Sequence, residues 1–269
     1  MIKPIDKKKK QLLITWDFPP QKGGIQSILY SIYSNLKDEC TVIAPHCPDD
    51  YKFDSQSDVK IIRTGYSNKY FPKYISFPLY WLLSFRKAVK SIRNSNVKIV
   101  NCGHIMVGLP CLLLKLIFNI PYIVWTYALE LSSKKLKFLN KLILKHADKV
   151  IAISEFTKGL LKELGVEESK IEIIHPPVDK RFLKIYNDKD YIKRKYKIGK
   201  EKVLLTVARL TPLQVYKGID KVIEALGIMK TIYNYKDFIY IVYGEGGFKE
   251  YYIRLAKKFG IDDKVIFVC

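Results

Sequence analysis

Short runs of β-branched and apolar residues alternate along the chain with longer stretches in which apolar residues recur every three or four positions. The short runs are typical of buried strands, and the periodic stretches are typical of amphipathic helices. Strands are predicted at residues 11–16, 40–45, 59–65, 97–102, 121–126, 149–154, 170–175, 202–208, 238–244 and 264–268. Helices are predicted at residues 25–36, 77–92, 107–118, 136–146, 155–164, 219–230 and 248–260.

This alternation predicts an α/β fold whose parallel sheets carry helices on both faces. It is interrupted at residues 176–179, where Pro-Pro-Val-Asp precedes a polar, Lys- and Asp-rich segment. Such a break is typical of a domain boundary. We therefore predict a first domain at 1–178, a linker at 179–201 and a second domain at 202–269. The first domain has enough strands for a complete doubly wound unit, whereas the second has only three.

Composition supports packed cores, because 48% of the 269 residues are hydrophobic. No apolar run reaches the roughly 18–20 residues that a membrane-spanning helix needs. The basic N-terminus is followed by an apolar run too short for a signal peptide, so we expect a cytoplasmic protein. The five cysteines form no CxxC pair, which predicts small buried side chains and no metal site.

The formal net charge of +21 leaves three explanations open. They are a solvated basic surface, an anionic membrane partner and a nucleic-acid partner. Only 7 of the 47 basic residues are Arg, the residue that makes bidentate contacts to bases, and no nucleic-acid motif is present. We therefore expect no nucleic acid. The aromatic, apolar segment 71–86 suggests a peripheral membrane contact or, alternatively, a helix packed on the first sheet.

Candidate chemistry is expected where strands end, because open parallel sheets bind ligands at the carboxyl ends of their strands. Gly23 and Gly24 lie between the first predicted strand and its helix. Glycines allow a ligand to come close to the backbone, and the amides at a helix start can hold an anion. A simple tight turn is the alternative for this pair.

Two cations flank the turn between the strand at 202–208 and the helix that follows it. Arg209 comes directly after the strand, and Lys217 comes just before the helix. An Arg fork and a Lys point charge beside a partly positive helix N-terminus favour a diphosphate. The alternative is a solvated surface turn.

Gly244 and Gly246 follow the strand at 238–244 and form a third candidate site, for a nucleotide. This signal is weak alone, because the surrounding residues do not complete the GxGxxG pattern of dinucleotide-binding folds. The missing pattern argues against a nicotinamide-dependent dehydrogenase.

Taken in order, these motifs resemble those of the retaining GT-B glycosyltransferases of family 4. The resemblance covers nearly the whole chain, and the order and spacing of the motifs are more specific than any one of them. It rests on residues 18–25, 101–110, 121–131, 147–161, 173–179, 207–226 and 243–268.

The resemblance implies a GT-B architecture, with two Rossmann-like domains facing a cleft. It implies a nucleotide-sugar donor in that cleft (a UDP-, GDP- or ADP-sugar), no separate cofactor, no metal, and a glycan or lipid-linked acceptor. Arg209 and Lys217 match the catalytic residues that hold the donor diphosphate. The other matched positions are assigned to donor binding (Gly23, Gly24, Gly244 and Gly246) and to the acceptor side (His104, Tyr127 and Glu130).

Two departures from the family pattern qualify these expectations. Tyr127 stands where the family usually has His, and a Tyr does not titrate near neutral pH. The family's second domain also continues further, through a Glu-x7-Glu motif that is not found here. An incomplete, inactive chain with a less stable second unit is therefore expected, and the alternative function is a non-catalytic acceptor- or nucleotide-binding module.

Overall fold

The computed structural model describes residues 10–66, 73–131, 137–178, 188 and 190–268. The chain divides into two compact units, Met1–Lys184 and Ile185–Cys269, each with its own parallel sheet. Residues 179–187 and 189 of the predicted linker lie outside the described residues. Both units have the predicted α/β construction.

The first unit contains the strands β1 (Lys10–Ile14), β2 (Cys40–His46), β3 (Lys60–Tyr66), β4 (Val97–Cys102), β5 (Tyr122–Thr126), β6 (Lys149–Ala152) and β7 (Ile171–Ile173). They form one parallel sheet in the order β3-β2-β1-β4-β5-β6-β7. Its helices are α1 (Gly24–Tyr33), α2 (Asp50–Ser55), α3 (Lys73–Asn94), α4 (Gly108–Phe118), α5 (Lys137–His146) and α6 (Glu155–Glu163). The strand order reverses between β1 and β4, which is where doubly wound sheets bind ligands.

Several predicted boundaries differ from those of the structure by a few residues. The helix predicted at 25–36 ends at Tyr33, and the 3-10 segment that follows, Ser34–Glu39, is kinked at Lys37, where φ is 40°. The helix predicted at 107–118 begins one residue later, after a 3-10 turn at Ile105–Val107. The last strand of the sheet is shorter than predicted, since two prolines without amide donors follow it closely.

Helices cover both faces of the first sheet, so its central strands are apolar on both sides. Leu12, Leu13 and Ile14 of β1 have no exposed surface. Helices α3 to α6 pack on one face, and α1 packs on the other. Tyr80 of α3 is buried, and its hydroxyl lies 2.7 Å from the Thr15 carbonyl oxygen and 3.0 Å from that of Ile43. This contact holds α3 against the carboxyl ends of β1 and β2.

A buried arginine anchors the loop that leaves β1. Arg63 of β3 donates to both carboxylate oxygens of Asp54, at 3.0 and 2.7 Å, and its side chain is only 6% exposed. It also donates to the carbonyl oxygens of Pro19, at 2.6 Å, and Pro45, at 3.2 Å. The guanidinium group therefore joins the ends of three strands through one planar, charge-assisted network.

The second unit contains helix α7 (Tyr191–Tyr196), strand β8 (Lys202–Val207), helix α8 (Ile219–Ile232), strand β9 (Phe238–Tyr243), helix α9 (Lys249–Lys258) and strand β10 (Val265–Val268). Its parallel sheet has the order β10-β9-β8. Helices α8 and α9 cover one face, where Ile223, Leu226 and Tyr252 pack against β9. Strand β9 is central, and its residues from Phe238 to Val242 are buried.

The other face of the second sheet is largely open. Val203, Leu205 and Val207 of β8 are 40%, 62% and 68% exposed and line a groove of about 530 Å³ with residues of α7. Strand β10 lies at the opposite edge and is half-buried. Both β8 and β10 are edge strands, and β8 is the more exposed of the two.

We predict that amide hydrogens of β8 exchange with solvent faster than those of β1. The amides of an edge strand with one open face can exchange through local opening, which does not require the core to unfold. Mass spectrometry of peptic fragments would measure this, with β9 of the same unit as the control. Protection of β8 equal to that of β1 would contradict the prediction.

Candidate functional site

The ends of β1 and β4 approach each other too closely for a side chain between them. The Gly103 amide donates to the Ile14 carbonyl oxygen at 2.8 Å. A Cβ atom added at Gly103 would lie 2.7 Å from Cβ of Thr15, which is shorter than real contacts allow. The absence of a side chain at Gly103 therefore allows the segments that follow β1 and β4 to lie close together.

The Gly23–Gly24 turn opens helix α1. Gly23 has an extended backbone, and its carbonyl oxygen accepts from the Ser27 amide at 3.1 Å. No side chain of the described residues caps the helix, and no heavy atom lies within 4 Å of where a Cβ of Gly24 would be. The first turn of α1 therefore has no side-chain cap, and uncapped amides at a helix start can hold an anion. Donor binding by these glycines stays a prediction.

Asp17 lies at the same edge and was missed by the sequence analysis. Its Oδ1 accepts from Nε2 of Gln26 in α1 at 3.0 Å, and its backbone is held by the Thr15 hydroxyl. Burial raises the pKa of Asp17 to about 6. The signal in the sequence was an acidic residue three positions beyond the end of β1.

His104 begins the segment after β4 and is held as a neutral hydrogen-bond donor. Its Nδ1 accepts from the Met106 amide at 3.1 Å, which places the ring proton on Nε2. Burial lowers the pKa of His104 to about 4. At neutral pH the imidazole is therefore uncharged and presents an N–H group.

Tyr127 and Glu130 complete this edge from the segment after β5. The Tyr127 hydroxyl donates to the Gly103 carbonyl oxygen at 3.0 Å, and its ring stacks on His104 with centroids 5.9 Å apart. Oε1 of Glu130 accepts from the Tyr127 amide. Burial raises the pKa of both side chains. The structure thus brings the three predicted acceptor-side residues together, while their role stays a prediction.

In the second unit, Arg209 and Lys217 flank the start of α8. Arg209 follows β8, and Lys217 ends a 3-10 helix, Pro212–Lys217, that leads to the left-handed Gly218 with φ of 74°. Both cations are exposed. The Lys217 ammonium lies 5.0 Å from the centroid of the Tyr216 ring. The predicted pair therefore lies at the carboxyl edge of the second sheet, on either side of a turn that opens a helix.

Gly244 and Gly246 are required by the backbone itself. Their φ values are 153° and 149°, and Cβ atoms there would lie 1.8 Å from the Ala208 carbonyl oxygen and 2.1 Å from that of Leu210. The Leu210 amide donates to the Glu245 carbonyl oxygen at 2.8 Å between them. These glycines thus hold the segment that carries Arg209, and nucleotide contact by them remains a prediction.

Two kinds of feature are absent from the part of the chain that the structure describes. No group of three or more His, Cys, Asp or Glu side chains is placed to hold a metal ion. None of the helices in the described ranges is long and apolar enough to cross a membrane.

We predict that Asp17→Asn stabilises the first unit near neutral pH. The folded-state pKa of Asp17 is raised from 3.8 to about 6, so the neutral form is favoured by folding. The contribution of Asp17 to the free energy of unfolding is fully present below about pH 4 and is lost as the pH rises through about 6, a change of the order of 3 kcal/mol. Asn has no charge to desolvate, and it keeps the contact with Gln26.

Urea unfolding followed by tryptophan fluorescence would measure this, because Trp16, Trp81 and Trp125 all lie in the first unit. The variant and the parent chain should be equally stable at pH 4 and should diverge between pH 4 and 7. Equal stability of the variant and the parent chain at pH 7.5 would contradict the assignment of Asp17 as a buried acid with a raised pKa.

Two family models match the chain and together cover most of it. The model for Glycosyltransferase Family 4 matches residues 22–182, and the model for Glycosyl transferases group 1 matches residues 188–269. The boundary between them lies close to the division between the two compact units.

Sequence and structural relatives agree with these matches. A GDP-mannose-dependent alpha-(1-6)-phosphatidylinositol monomannoside mannosyltransferase of Mycolicibacterium smegmatis is 26% identical over 95% of this chain, and the chain spans 66% of its length. The structure of HepE from Anabaena in complex with UDP superimposes with a TM-score of 0.75, at 16% identity, over 96% of this chain and 68% of that one. Sucrose-phosphate synthase from Thermosynechococcus elongatus gives a TM-score of 0.65 at 15% identity, covering 97% and 70%. The GT-B fold expected from the sequence is thus confirmed, and the chain belongs to Glycosyltransferase Family 4.

Proposed function

We propose that this chain is part of a glycosyltransferase that moves a sugar from a nucleotide-diphosphate sugar to a glycan or lipid-linked acceptor, with retention of configuration. One observation carries the proposal. Arg209 and Lys217 flank the start of α8 at the carboxyl edge of the second sheet, in a chain whose two units both match glycosyltransferase families.

The donor diphosphate is the ligand that best fits the second unit. The Arg209 guanidinium can fork onto two phosphate oxygens, Lys217 adds a point charge, and α8 adds the partial positive charge of its N-terminus. When the glycosidic bond breaks, negative charge grows on the leaving phosphate. Fixed cations stabilise that charge without reorganisation, and they do so without requiring a metal ion.

Relatives support a nucleotide diphosphate but leave the base open. HepE was solved with UDP, and the mannosyltransferase is named for its dependence on GDP-mannose. A UDP-, GDP- or ADP-sugar is therefore proposed as the donor. Retention is proposed from the resemblance to retaining members of the family. Gly23, Gly24, Gly244 and Gly246 are proposed as further contacts to the nucleotide.

The acceptor is proposed to bind at the edge formed by His104, Tyr127 and Glu130. The Tyr127 hydroxyl is engaged by the backbone of Gly103, and burial raises its pKa further above the neutral range. Since His104 is also held neutral, both rings contribute hydrogen bonds and shape to this edge rather than a proton-accepting base.

Helix α3 supports a peripheral contact with an anionic membrane. Its buried side packs on the first sheet, whereas Ile75, Leu79 and Leu82 are 44%, 39% and 56% exposed on the opposite side. Further along the same helix, Arg86 and Lys90 are exposed. A half-exposed apolar stripe followed by cations fits the boundary between anionic headgroups and acyl chains. We propose that the protein works on the inner face of the cell membrane.

Arg209→Lys should weaken nucleotide binding by about tenfold, because a point charge cannot replace the planar fork. Lys217→Ala should weaken it by a similar factor. Isothermal titration of UDP and GDP into the 269-residue chain would measure both effects. Arg254→Lys and Lys257→Ala on α9 are the matched controls, since both side chains are exposed in the same unit away from the turn. Unchanged affinity in both Arg209→Lys and Lys217→Ala would remove the proposed donor site.

Leu82→Gln should reduce co-sedimentation of the chain with vesicles that contain anionic lipid, and added salt should reduce it further. The reason is that Leu82 is the most exposed residue of the apolar stripe of α3. Leu213→Gln is the control, because Leu213 is 89% exposed but lies in the second unit. Equal pelleting with neutral vesicles would contradict the electrostatic part of the account, and equal pelleting of both variants and the parent would contradict the assignment to α3.

A further inference from the structure

The edge that carries His104, Tyr127 and Glu130 is acidic, although the chain as a whole is strongly basic. Asp17 lies at this edge. Burial is the main reason that the pKa values of Glu130 and Tyr127 are raised, and the Asp17 charge raises both further. The Glu130 charge also raises the pKa of Tyr127. We call these four residues (Asp17, His104, Tyr127 and Glu130) the acidic edge.

The hydrogen-bonding groups of the acidic edge are only partly used within the protein. One oxygen of Asp17 accepts from Gln26, and one oxygen of Glu130 accepts from the Tyr127 backbone. The second oxygen of the Asp17 carboxyl has no hydrogen-bond partner among the described residues, whereas the Glu130 carboxyl also accepts from its own backbone amide. His104 holds its remaining proton on Nε2, and this N–H group likewise has no partner there.

These groups match the chemistry of sugar hydroxyls. Each hydroxyl group both donates and accepts one hydrogen bond, so adjacent hydroxyls can donate to two carboxylates and accept from one imidazole N–H. A phosphate or a carboxylate has no proton to donate at neutral pH, and it would meet two like charges that are already partly desolvated. The acidic edge therefore distinguishes between neutral and anionic ligands by charge.

We propose that the acidic edge binds the reacting ring of the acceptor through the hydroxyl groups of an uncharged sugar and rejects a ring that carries a phosphate or a carboxylate. This rests on the proposed transferase function and specifies its acceptor. Asp17 and Glu130 are the specificity-determining residues. The proposal concerns the reacting ring only, so a lipid-linked acceptor with a distant phosphate remains compatible with it.

Saturation-transfer NMR on the 269-residue chain can test this with simple probes. The probes are the methyl α-glycosides of glucose, mannose and galactose at pH 7.5, each paired with its uronic acid counterpart, which differs only in the carboxylate at C6. At least one neutral glycoside should bind, and its uronate should bind at least about tenfold more weakly. The methyl glycoside of glucosamine tests the alternative that the two carboxylates select an amine.

Two conservative variants separate charge from shape. Asp17→Asn keeps the oxygen that accepts from Gln26, and Glu130→Gln keeps one that can accept from the Tyr127 amide. In each variant the neutral glycoside should bind several-fold more weakly, and the disadvantage of the uronate should shrink. Glu168→Gln is the control, since Glu168 pairs with Lys158 and Lys162 on the surface and should leave both affinities unchanged.

Three results would overturn the inference. They are equal binding of a neutral glycoside and its uronate, tighter binding of the amino sugar than of every neutral one, and the absence of binding by any neutral probe. If neither Asp17→Asn nor Glu130→Gln changes the ratio of the affinities for a neutral glycoside and its uronate, then Asp17 and Glu130 do not cause the selectivity. Failure of nucleotide binding in the second unit would count against the proposed sugar transfer but not against sugar binding at the acidic edge. The sugar probes report on the first unit separately.

Discussion

The close approach of β1 and β4 at Gly103 is the constraint on which the rest of the first unit depends. The Gly103 amide donates to Ile14 of β1, and its carbonyl oxygen accepts from the Tyr127 hydroxyl beyond β5. One peptide segment thus connects three neighbouring strands, and a Cβ there would collide with Thr15. Because the strands are parallel, their carboxyl ends meet at one edge, and this contact fixes how closely their side chains gather.

The two units present opposite charges at corresponding edges of their sheets. The first unit places Asp17 and Glu130 after its strands, while the second places Arg209 and Lys217 around the start of α8. An overall charge of +21 conceals this difference, because most Lys side chains are spread over solvated surfaces. Local charge of opposite sign suits a reaction in which one substrate is a diphosphate and the other offers hydroxyl groups.

Much of the fold could be predicted from the sequence, because the period of apolar residues separates strands from helices and the alternation implies parallel sheets. The same rule placed Arg209 and Lys217 at a strand end. It could not place Asp17, whose importance comes from burial and from Gln26, contacts that no local pattern encodes. The close approach of the Ala208 backbone to Gly244 was likewise not predictable from the sequence, and ligand contact at Gly244 stays a prediction.

A structure of this chain with a bound nucleotide diphosphate tests the central claim most directly. The account predicts that diphosphate oxygens contact the Arg209 guanidinium, the Lys217 ammonium and the first amides of α8. The ammonium would then leave its position 5.0 Å from the Tyr216 ring. A nucleotide bound elsewhere, for example among Lys60, Lys87 and Lys90 beside the lower half of α3, with the α8 turn unchanged, would contradict it.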